Sequence, residues 1–195
     1  MRQQAPPANR SFLNVQTITA LKAEECDAIA SSVDDGSWVS ARVSRHDDPY
    51  GAIDPASRSV LSQPLAINEN GWPALAIVNA INSMNATTWR FDLWGFSHTD
   101  QPSVLLYQAQ VNDHFRPHLD AGEQNPTRKL SFSLQLSDPS SYRGGDLLFG
   151  GSHPPESRAQ GALTVFPSIL MHEVTPVYTG KRLAIVGWIH GPTFR

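Results

Sequence analysis

The chain has 195 residues, of which 40% are hydrophobic and 17% charged, and its formal net charge at pH 7 is −3. This length suits one domain with a sizeable core, and the composition excludes a disordered chain. The weakly acidic balance argues against nucleic acid as the main partner, and no apolar stretch approaches the roughly 18 residues of a membrane span. Cys26 is the single cysteine, so no internal disulfide can form. Together with a polar start unlike a signal peptide, this favours the cytoplasm.

The N-terminal part is expected to be helical. A loose tail covers residues 1–11, and a helical support region follows over 12–87. Thr19 is the expected start of a first helix, because acidic residues follow within the first turns and apolar residues recur at helical spacing. Pro73 is the expected first residue of a second helix over 73–86, a position where proline is well tolerated.

The pattern changes from Thr88 onward to short apolar or alternating segments that turn residues separate. The predicted strands cover 37–44, 88–96, 103–111, 130–137, 145–149, 162–166 and 181–189. The polar segment 45–58 indicates a loop. The expected architecture is a single domain over residues 1–195, mainly β with N-terminal helices, in which residues 88–195 form the β core.

Three His-x-Asp sequences are candidates for part of a metal site. Two imidazoles and one carboxylate on one face of the ion form the facial triad of many non-haem Fe(II) sites. On an extended strand residues i and i+2 point the same way, so such a tripeptide supplies two ligands together. The candidates are His46-Asp47-Asp48, His98-Thr99-Asp100 and His118-Leu119-Asp120. The first lies in a loop and the second in a turn between strands, whereas the third closes an extended segment. His118 and Asp120 are therefore the predicted ligands.

The third ligand must come from a strand that is near in space but distant in sequence. His153 lies in a Gly/Pro/Ser loop and His190 lies close to the chain end, whereas His172 precedes a strand with basic residues at its start. Taken alone, His172 is more simply explained as a histidine at the end of a strand that bonds only to the backbone and binds no metal. Combined with the preceding pair and with that basic strand, His172 is the predicted third ligand.

Lys181 and Arg182 begin that strand and face opposite sides of it. Both faces continue with apolar residues, so periodicity does not decide which of the two points inward. A guanidinium inside a barrel can bind a carboxylate through two parallel hydrogen bonds. A buried basic residue near a metal triad therefore indicates a cosubstrate with a remote carboxylate, such as 2-oxoglutarate.

These motifs resemble the iron- and 2-oxoglutarate-dependent dioxygenases of the prolyl 4-hydroxylase-like superfamily, in particular its small bacterial and phage members. The likeness is strong over 88–195 and fainter before it, and it is carried by His118-Leu119-Asp120, His172, Arg182 and the segments 128–139, 142–147, 166–168, 172–177 and 187–192. It implies one dioxygenase domain folded as a double-stranded β-helix, a jelly roll with its ligands inside one end. It also implies Fe(II) on the triad, 2-oxoglutarate as cosubstrate, O2, and ascorbate as a candidate reductant. The family has a basic residue ten positions after the distal histidine, which favours Arg182 over Lys181.

Two further residues are expected at the cosubstrate. The family often has a tyrosine nine or ten residues before the first ligand histidine, where this chain has Ala109 and Gln108. Tyr107 shares a strand face with Ala109 and is the expected substitute, with a core role as the alternative. Gln135 shares its face with two serines, which indicates either a cosubstrate pocket or the solvated face of a strand. The family glycine in the turn that follows is replaced by Asn112.

The resemblance implies hydroxylation of an unactivated C–H bond in proline or a related amino-acid residue, in a polypeptide or free. Asp120 occupies the ligand place that halogenating relatives leave for chloride, which favours hydroxylation. Three side chains are expected in the substrate pocket, namely Trp188, Arg116 and Arg128. A core role for Trp188 and a solvated surface position for the two arginines are the alternatives. The charged segment 42–58 is either a lid over the substrate or a polar loop without a role.

Three alternatives stay open at this stage. A hydroxylase of a free amino acid or another small molecule, such as a natural product, would use the same iron chemistry. A cupin-type enzyme on a similar barrel would need no 2-oxoglutarate, and Arg182 argues against it. A binding module that kept the barrel without turnover is the third alternative, and the intact triad argues against it.

Overall fold

The computed structural model describes residues 13–45, 48–152 and 157–194, with the backbone alone for 44, 45 and 48–50. Within these ranges the chain forms two helices, α1 (Ala23–Ser31) and α2 (Ala74–Thr87). It also forms fifteen strands, which in chain order are β1 (Gln16–Thr19), β2 (Val39–Ser40), β3 (Val43–Arg45), β4 (Asp48–Ala52), β5 (Arg58–Ser59), β6 (Leu61–Pro64), β7 (Ser103–Gln108), β8 (His114–His118), β9 (Arg128–Gln135), β10 (Arg143–Gly144), β11 (Leu147–Leu148), β12 (Ala162–Pro167), β13 (His172–Val174), β14 (Val177–Thr179) and β15 (Lys181–His190). None of the described helices is long and apolar enough to cross a membrane.

Two antiparallel sheets build the body of the fold. The larger has the strand order β1-β12-β9-β15-β7-β6-β2, and the smaller has the order β11-β13-β8-β5. Buried apolar side chains from both sheets form one cluster, among them Leu105 and Phe166 of the larger sheet and Val174 of the smaller. The sheets therefore face each other across this cluster, which is the layering that the predicted jelly roll requires.

Both helices cover the outer face of the larger sheet. Cys26 and Ile29 of α1 and Ile77 and Ile81 of α2 belong to one core cluster with alternate residues of β9, such as Leu134. Each such aliphatic side chain stabilises the fold by roughly 1.5–3 kcal/mol when it is fully buried. Because side chains alternate along a strand, the intervening residues of β9 point the other way, into the space between the sheets.

The strand register brings distant residues together at one end of the two sheets. In the smaller sheet, His172 of β13 pairs with His118 of β8. In the larger sheet, β15 lies between β7 and β9 and pairs Arg182 with Tyr107. Asn112, in the turn between β7 and β8, has a left-handed φ of 54°, a conformation that a glycine adopts easily and an asparagine tolerates.

The first helix begins later than predicted. Thr19 is the last residue of β1, which pairs with β12 at the edge of the larger sheet. The helix begins at Ala23, and the Glu25 carboxylate accepts the Lys22 backbone N–H at 2.8 Å. The predicted start at Thr19 was wrong because this segment pairs with a strand that is distant in sequence. The second helix runs over Ala74–Thr87, one residue later than predicted.

Residues 12–87 contribute strands as well as helices. β1, β2 and β6 belong to the larger sheet and β5 belongs to the smaller one, so the sheets are not confined to 88–195. The segment 45–58, predicted as a loop, contains β4 and ends in β5. These strands are two to five residues long, too short for their alternation to be recognised without their partners.

The predicted strand over 88–96 does not form. After α2, Arg90 adopts a left-handed φ of 57° and turns the chain. The Asn85 side-chain NH2 then donates to the Phe91 carbonyl at 2.8 Å, and its oxygen accepts the Phe91 N–H at 2.9 Å. The backbone groups of Phe91 are therefore not available to a sheet. Within this segment only Gly95 makes a single bridge to another strand.

Candidate metal centre

Two histidines and one aspartate converge where β8 and β13 pair. His118 is the last residue of β8, Asp120 follows it by two residues, and His172 begins β13. Their donor atoms all lie within 4.8 Å of one another. The Asp120 carboxylate oxygens stand 3.7 Å from His118 Nε2 and 3.3 Å from His172 Nε2. Three ligands that each bind one ion at roughly 2.0–2.2 Å and near right angles lie about 3 Å apart, so only small adjustments are needed.

Backbone carbonyls orient both imidazoles. His118 Nδ1 lies 2.8 Å from the Arg116 carbonyl oxygen, and His172 Nδ1 lies 2.9 Å from the Leu170 carbonyl oxygen. A carbonyl oxygen only accepts hydrogen bonds, so Nδ1 carries the proton and Nε2 presents its lone pair. Burial, and after it the neighbouring His172, lower the pKa of His118 to about 4, so the ring is neutral at ordinary pH. A neutral imidazole is the ligating form.

Asp120 is held as an anion. Burial raises the pKa of its carboxyl, but contact with His172 and the Ser131 hydroxyl outweighs burial and holds the pKa below its usual range. Ser131 donates to this carboxylate at 2.7 Å, and its oxygen also lies 2.9 Å from the Ser168 hydroxyl. The Asp120 backbone N–H donates to the Ser168 carbonyl at 3.0 Å. These bonds fix the carboxylate opposite the two imidazoles.

This donor set fits a divalent iron ion. Two imidazole nitrogens and one carboxylate lie within 4.8 Å of one another. Such acceptors repel one another unless a cation lies among them. Two imidazoles and one carboxylate are the ligands of the Fe(II) facial triad. Within the described residues, no other cluster of three His, Cys, Asp or Glu side chains has this geometry.

The competing histidines do not form a second centre in the described part of the chain. His98 is exposed in its turn. His190 lies 2.9 Å from the Thr127 hydroxyl through Nδ1 and 3.2 Å from Asp100 through Nε2. His46 and His153 lie outside the described residues. So does part of the candidate lid 42–58, whose described residues Arg42, Val43, Asp54, Ser57 and Arg58 line the cleft outside the metal.

A buried guanidinium completes the inner cavity. Arg182 is 4% exposed, whereas its neighbour Lys181 is exposed on the opposite face. Arg182 Nε donates to Gln135 Oε1 at 3.0 Å, and its guanidinium lies 5.1 Å from the ring centre of Tyr107. No described carboxylate lies within ion-pair distance of it. The same cavity is lined by the triad, so a dicarboxylate can contact the metal at one end and Arg182 at the other.

The polar face of β9 points into this space. Ser131, Ser133 and Gln135 are all buried. Ser131 contacts Asp120, Ser133 lines the inner cavity, and the Gln135 amide donates to the Tyr142 hydroxyl at 2.9 Å. The solvated-face alternative for Gln135 is therefore wrong.

Gly145 is a functional feature that the sequence did not reveal. A Cβ built there would stand 2.9 Å from Arg182 Cδ and 2.9 Å from Val177 Cγ2, and the residue has a φ of +64°. Any larger residue would press on the Arg182 stem. The position leaves room for the guanidinium.

Trp188 and Arg128 form part of the cavity mouth. The Arg128 guanidinium stacks on the Trp188 ring at 3.4 Å. Its Nε and Nη2 donate to the two Asp100 carboxylate oxygens at 2.7 and 2.8 Å, and Nη1 donates to the Asp120 carbonyl at 3.3 Å. Arg116 is exposed farther out, where its Nε donates to the Ala56 carbonyl. Arg128 is thus already paired with an anion, and its contacts suit support of the mouth.

Arg58 is a second guanidinium at the centre, and sequence reasoning missed it. It begins β5, opposite Phe115 of β8, and lines both the inner cavity and the wider cleft outside it. The residue stood at the end of a segment predicted as a loop. No periodicity there could have indicated that it pairs with a strand near the metal.

The chain is also similar in sequence to known oxygenases. Residues 102–190 match the family model of the 2OG-Fe(II) oxygenase superfamily. A PKHD-type hydroxylase of Synechococcus sp. (strain CC9605) is 38% identical over 91 residues, covering 45% of this chain and 41% of the relative. A PKHD-type hydroxylase of Maricaulis maris (strain MCS10) is 40% identical over 89 residues, covering 44% and 41%. The chain thus spans about two fifths of the length of the curated relatives it matches.

Two solved structures share the fold over most of the chain. A prolyl-4-hydroxylase of Pseudomonas putida superposes with a TM-score of 0.66 at 22% identity, covering 91% of this chain and 92% of that one. A prolyl hydroxylase of Trichoplax adhaerens, solved with a hypoxia-inducible-factor peptide, gives a TM-score of 0.71 at 16% identity, covering 90% and 83%. The predicted jelly roll is confirmed. Together with the match over residues 102–190, these likenesses confirm the resemblance of this chain to the 2-oxoglutarate- and Fe(II)-dependent oxygenases of prolyl 4-hydroxylase type.

Proposed function

We propose that this protein is an Fe(II)- and 2-oxoglutarate-dependent hydroxylase that acts on proline or a related amino-acid residue. One observation carries the proposal. The triad lines the same cavity as Arg182, which has no carboxylate partner among the described residues. His118, Asp120 and His172 would hold the iron. Arg182, supported by Gln135, would bind the far carboxylate of 2-oxoglutarate.

Bound Fe(II), with 2-oxoglutarate and O2, supplies the oxidising power for attack on an unactivated C–H bond. The protein's own residues supply position and shelter. Phe166 lies edge-on to the His172 ring at 4.5 Å, and Phe115 stacks on the His118 ring at 3.4 Å. Leu105 and Leu147 add apolar walls to the inner cavity. These contacts fix the two imidazoles and exclude water from the reacting centre.

The shape of the mouth favours a residue within a polypeptide. The cleft outside the metal has a volume of about 690 Å³, and it adjoins a second cleft of about 810 Å³. The two share Arg42, Asp100 and Trp188, so they form one open groove past the cavity. Single pockets of roughly 300–1,000 Å³ already hold drug-sized ligands, so this groove has room for an extended chain. The Trichoplax adhaerens neighbour was solved with a peptide.

The alternatives differ in their support. A free amino acid needs both of its charged groups held, and Asp100, which pairs with Arg128, is not a free anion for the ammonium group. The buried Arg182 without a protein anion argues against a cupin-type enzyme that needs no 2-oxoglutarate. The intact donor set argues against a binding module without turnover.

The test couples metal, cosubstrate and product. Anaerobic protein is loaded with Fe(II) and 2-oxoglutarate and exposed to O2 with proline-containing peptides, and succinate is measured together with a mass gain of about 16 Da in the peptide. His98→Ala is the matched control for Asp120→Ala, since His98 is exposed in a decoy motif. We expect succinate from the wild type and from His98→Ala but not from Asp120→Ala. Succinate formation independent of Asp120, or none in the wild type, would contradict the proposal.

A further inference from the structure

Arg58 is a cation without a carboxylate partner among the described residues. It lies at the edge of the smaller sheet, with its guanidinium carbon 4.6 Å from the ring centre of Phe115. The Phe115 ring in turn stacks on the ligand His118. Because Arg58 lines both the inner cavity and the outer cleft, it is accessible at the boundary where a substrate must pass.

The polar groups of Arg58 are incompletely bonded. Nη1 donates to the Arg42 carbonyl at 2.9 Å. Nε is buried and has no hydrogen-bond partner among the described residues, and no described carboxylate forms an ion pair with the side chain. Burial lowers the pKa of Arg58, although the Tyr107 and Asp120 groups oppose this. The side chain as a whole is half-buried, and a buried N–H without a partner is costly unless an acceptor completes its bonds.

In a site that holds iron and 2-oxoglutarate, the positive charge of Arg58 is not balanced. The two positive charges of iron and the one of Arg182 are balanced by Asp120 and by the two carboxylates of 2-oxoglutarate. The described charged residues that line the outer cleft are four arginines and three aspartates, although the whole chain has a net charge of −3. Positive charge is therefore in slight excess among the described side chains of the cleft, which favours an anion there.

We propose that Arg58 binds a carboxylate of the substrate and so selects substrates that carry one near the reacting carbon. This inference rests on the proposed hydroxylase function and adds a substrate class to it. The carboxylate has three sources, namely an acidic side chain beside the target residue, the C-terminus of a polypeptide, and a free amino acid. A planar guanidinium can hold such a group through two parallel hydrogen bonds. Arg128 suits it less, because its N–H groups already hold Asp100 and the Asp120 carbonyl.

The first experiment measures binding without turnover. Protein loaded with Zn(II) and 2-oxoglutarate is titrated calorimetrically with matched probes. These are proline-centred pentapeptides with Glu or Gln on either side of the proline, each with a free or amidated C-terminus, and L-proline against L-prolinamide. We expect at least one carboxylate-bearing probe to bind about tenfold more tightly than its neutral twin, a difference of about 1.4 kcal/mol. The pair that does so identifies the source of the carboxylate. Equal affinities within every pair, or no binding by any probe, would overturn the inference.

The second experiment repeats the titration with variants. Arg58→Gln is expected to weaken the favoured acidic probe by about 30-fold or more while changing its neutral twin by less than about threefold. Arg143→Gln removes an exposed arginine outside the cleft and controls for net charge. Equal losses for both twins would mean that Arg58 acts through shape alone. Weaker 2-oxoglutarate binding with unchanged discrimination would assign Arg58 to the cosubstrate. Either outcome overturns the inference.

The two proposals fail in distinguishable ways. Wild-type protein with Fe(II), 2-oxoglutarate and O2 that forms no succinate would contradict the hydroxylase function, whatever the probes do. Succinate formation without discrimination between acidic and neutral probes would leave the hydroxylase intact and refute the role of Arg58. Because the probe pairs are compared in the wild type, this conclusion does not depend on whether Arg58→Gln folds.

Discussion

Replacing Arg182 tests the cosubstrate assignment most directly. The side chain is buried, its Nε is bonded to Gln135 at 3.0 Å, and no described carboxylate pairs with it. In the proposed complex the far carboxylate of 2-oxoglutarate supplies the missing anion. Losing a buried charge-assisted pair costs on the order of 2–5 kcal/mol. For Arg182→Met we therefore expect the Kd for 2-oxoglutarate to rise by about 30-fold to several thousandfold.

Lys181→Met is the matched control, because Lys181 is adjacent in sequence but exposed on the opposite face. A surface substitution of this kind changes free energies by about 0.5 kcal/mol or less, which is roughly twofold in Kd. The assay is calorimetric titration of 2-oxoglutarate into Zn(II)-loaded protein, with thermal unfolding alongside. Wild-type protein should gain about 2.7 kcal/mol at a cosubstrate concentration of 100 Kd, and Arg182→Met should lose most of this gain. Equal effects of the two substitutions would refute the assignment of Arg182 to the cosubstrate.

Further predictions concern the groups around the metal. Replacing any one triad residue by Ala should weaken Fe(II) binding by more than about 100-fold, whereas His98→Ala should leave it near normal in the same titration. Ser131→Ala removes the 2.7 Å bond to the Asp120 carboxylate and should weaken metal binding by about 10-fold, measured by competition with a chelator. Gly145→Val should displace Arg182 and raise the KM for 2-oxoglutarate, while metal affinity stays unchanged. Asp100→Asn should free Arg128 from its ion pair and raise the KM for substrate more than the KM for 2-oxoglutarate, and the reverse order would contradict a role at the mouth.

The β core was predictable where alternation extends over enough residues. The predicted strands 103–111, 130–137, 162–166 and 181–189 all form within a few residues of their predicted ends. Local sequence patterns gave wrong predictions where a partner distant in sequence, or a side-chain bond to the backbone, determines the conformation. Thr19 belongs to a strand because β12 pairs with it, and 88–96 stays irregular because Asn85 bonds the backbone of Phe91.

The candidate site was predictable where the spacing of residues along the sequence determines which way their side chains point. His118 and Asp120 are two residues apart, so an extended chain turns both side chains toward the same centre. The inward face of Arg182 was not predictable from periodicity, because both faces of its strand are apolar, and only the family position favoured it. Burial and the bond to Gln135 place it in the cavity. Arg58 was not predictable at all, since its two-residue strand has no pattern of its own.

The division of the site between the two halves of the chain follows from the sheet topology. The three candidate metal ligands, Arg182 and Trp188 all lie within residues 102–190, the segment that matches the oxygenase superfamily. One wall of the outer cleft instead comes from residues before that match, namely Arg42, Val43, Asp54, Ser57 and Arg58. β5 brings this wall to the metal by pairing with β8, directly beside the strand that carries a ligand. In the proposed complex the residues that hold iron and 2-oxoglutarate therefore lie within 102–190, whereas the outer cleft draws on both segments, with Arg58 outside the match. Substitutions within 42–58 are expected to change substrate preference while leaving the affinities for iron and 2-oxoglutarate intact, a separation that parallel titrations of metal, cosubstrate and probe peptides would measure.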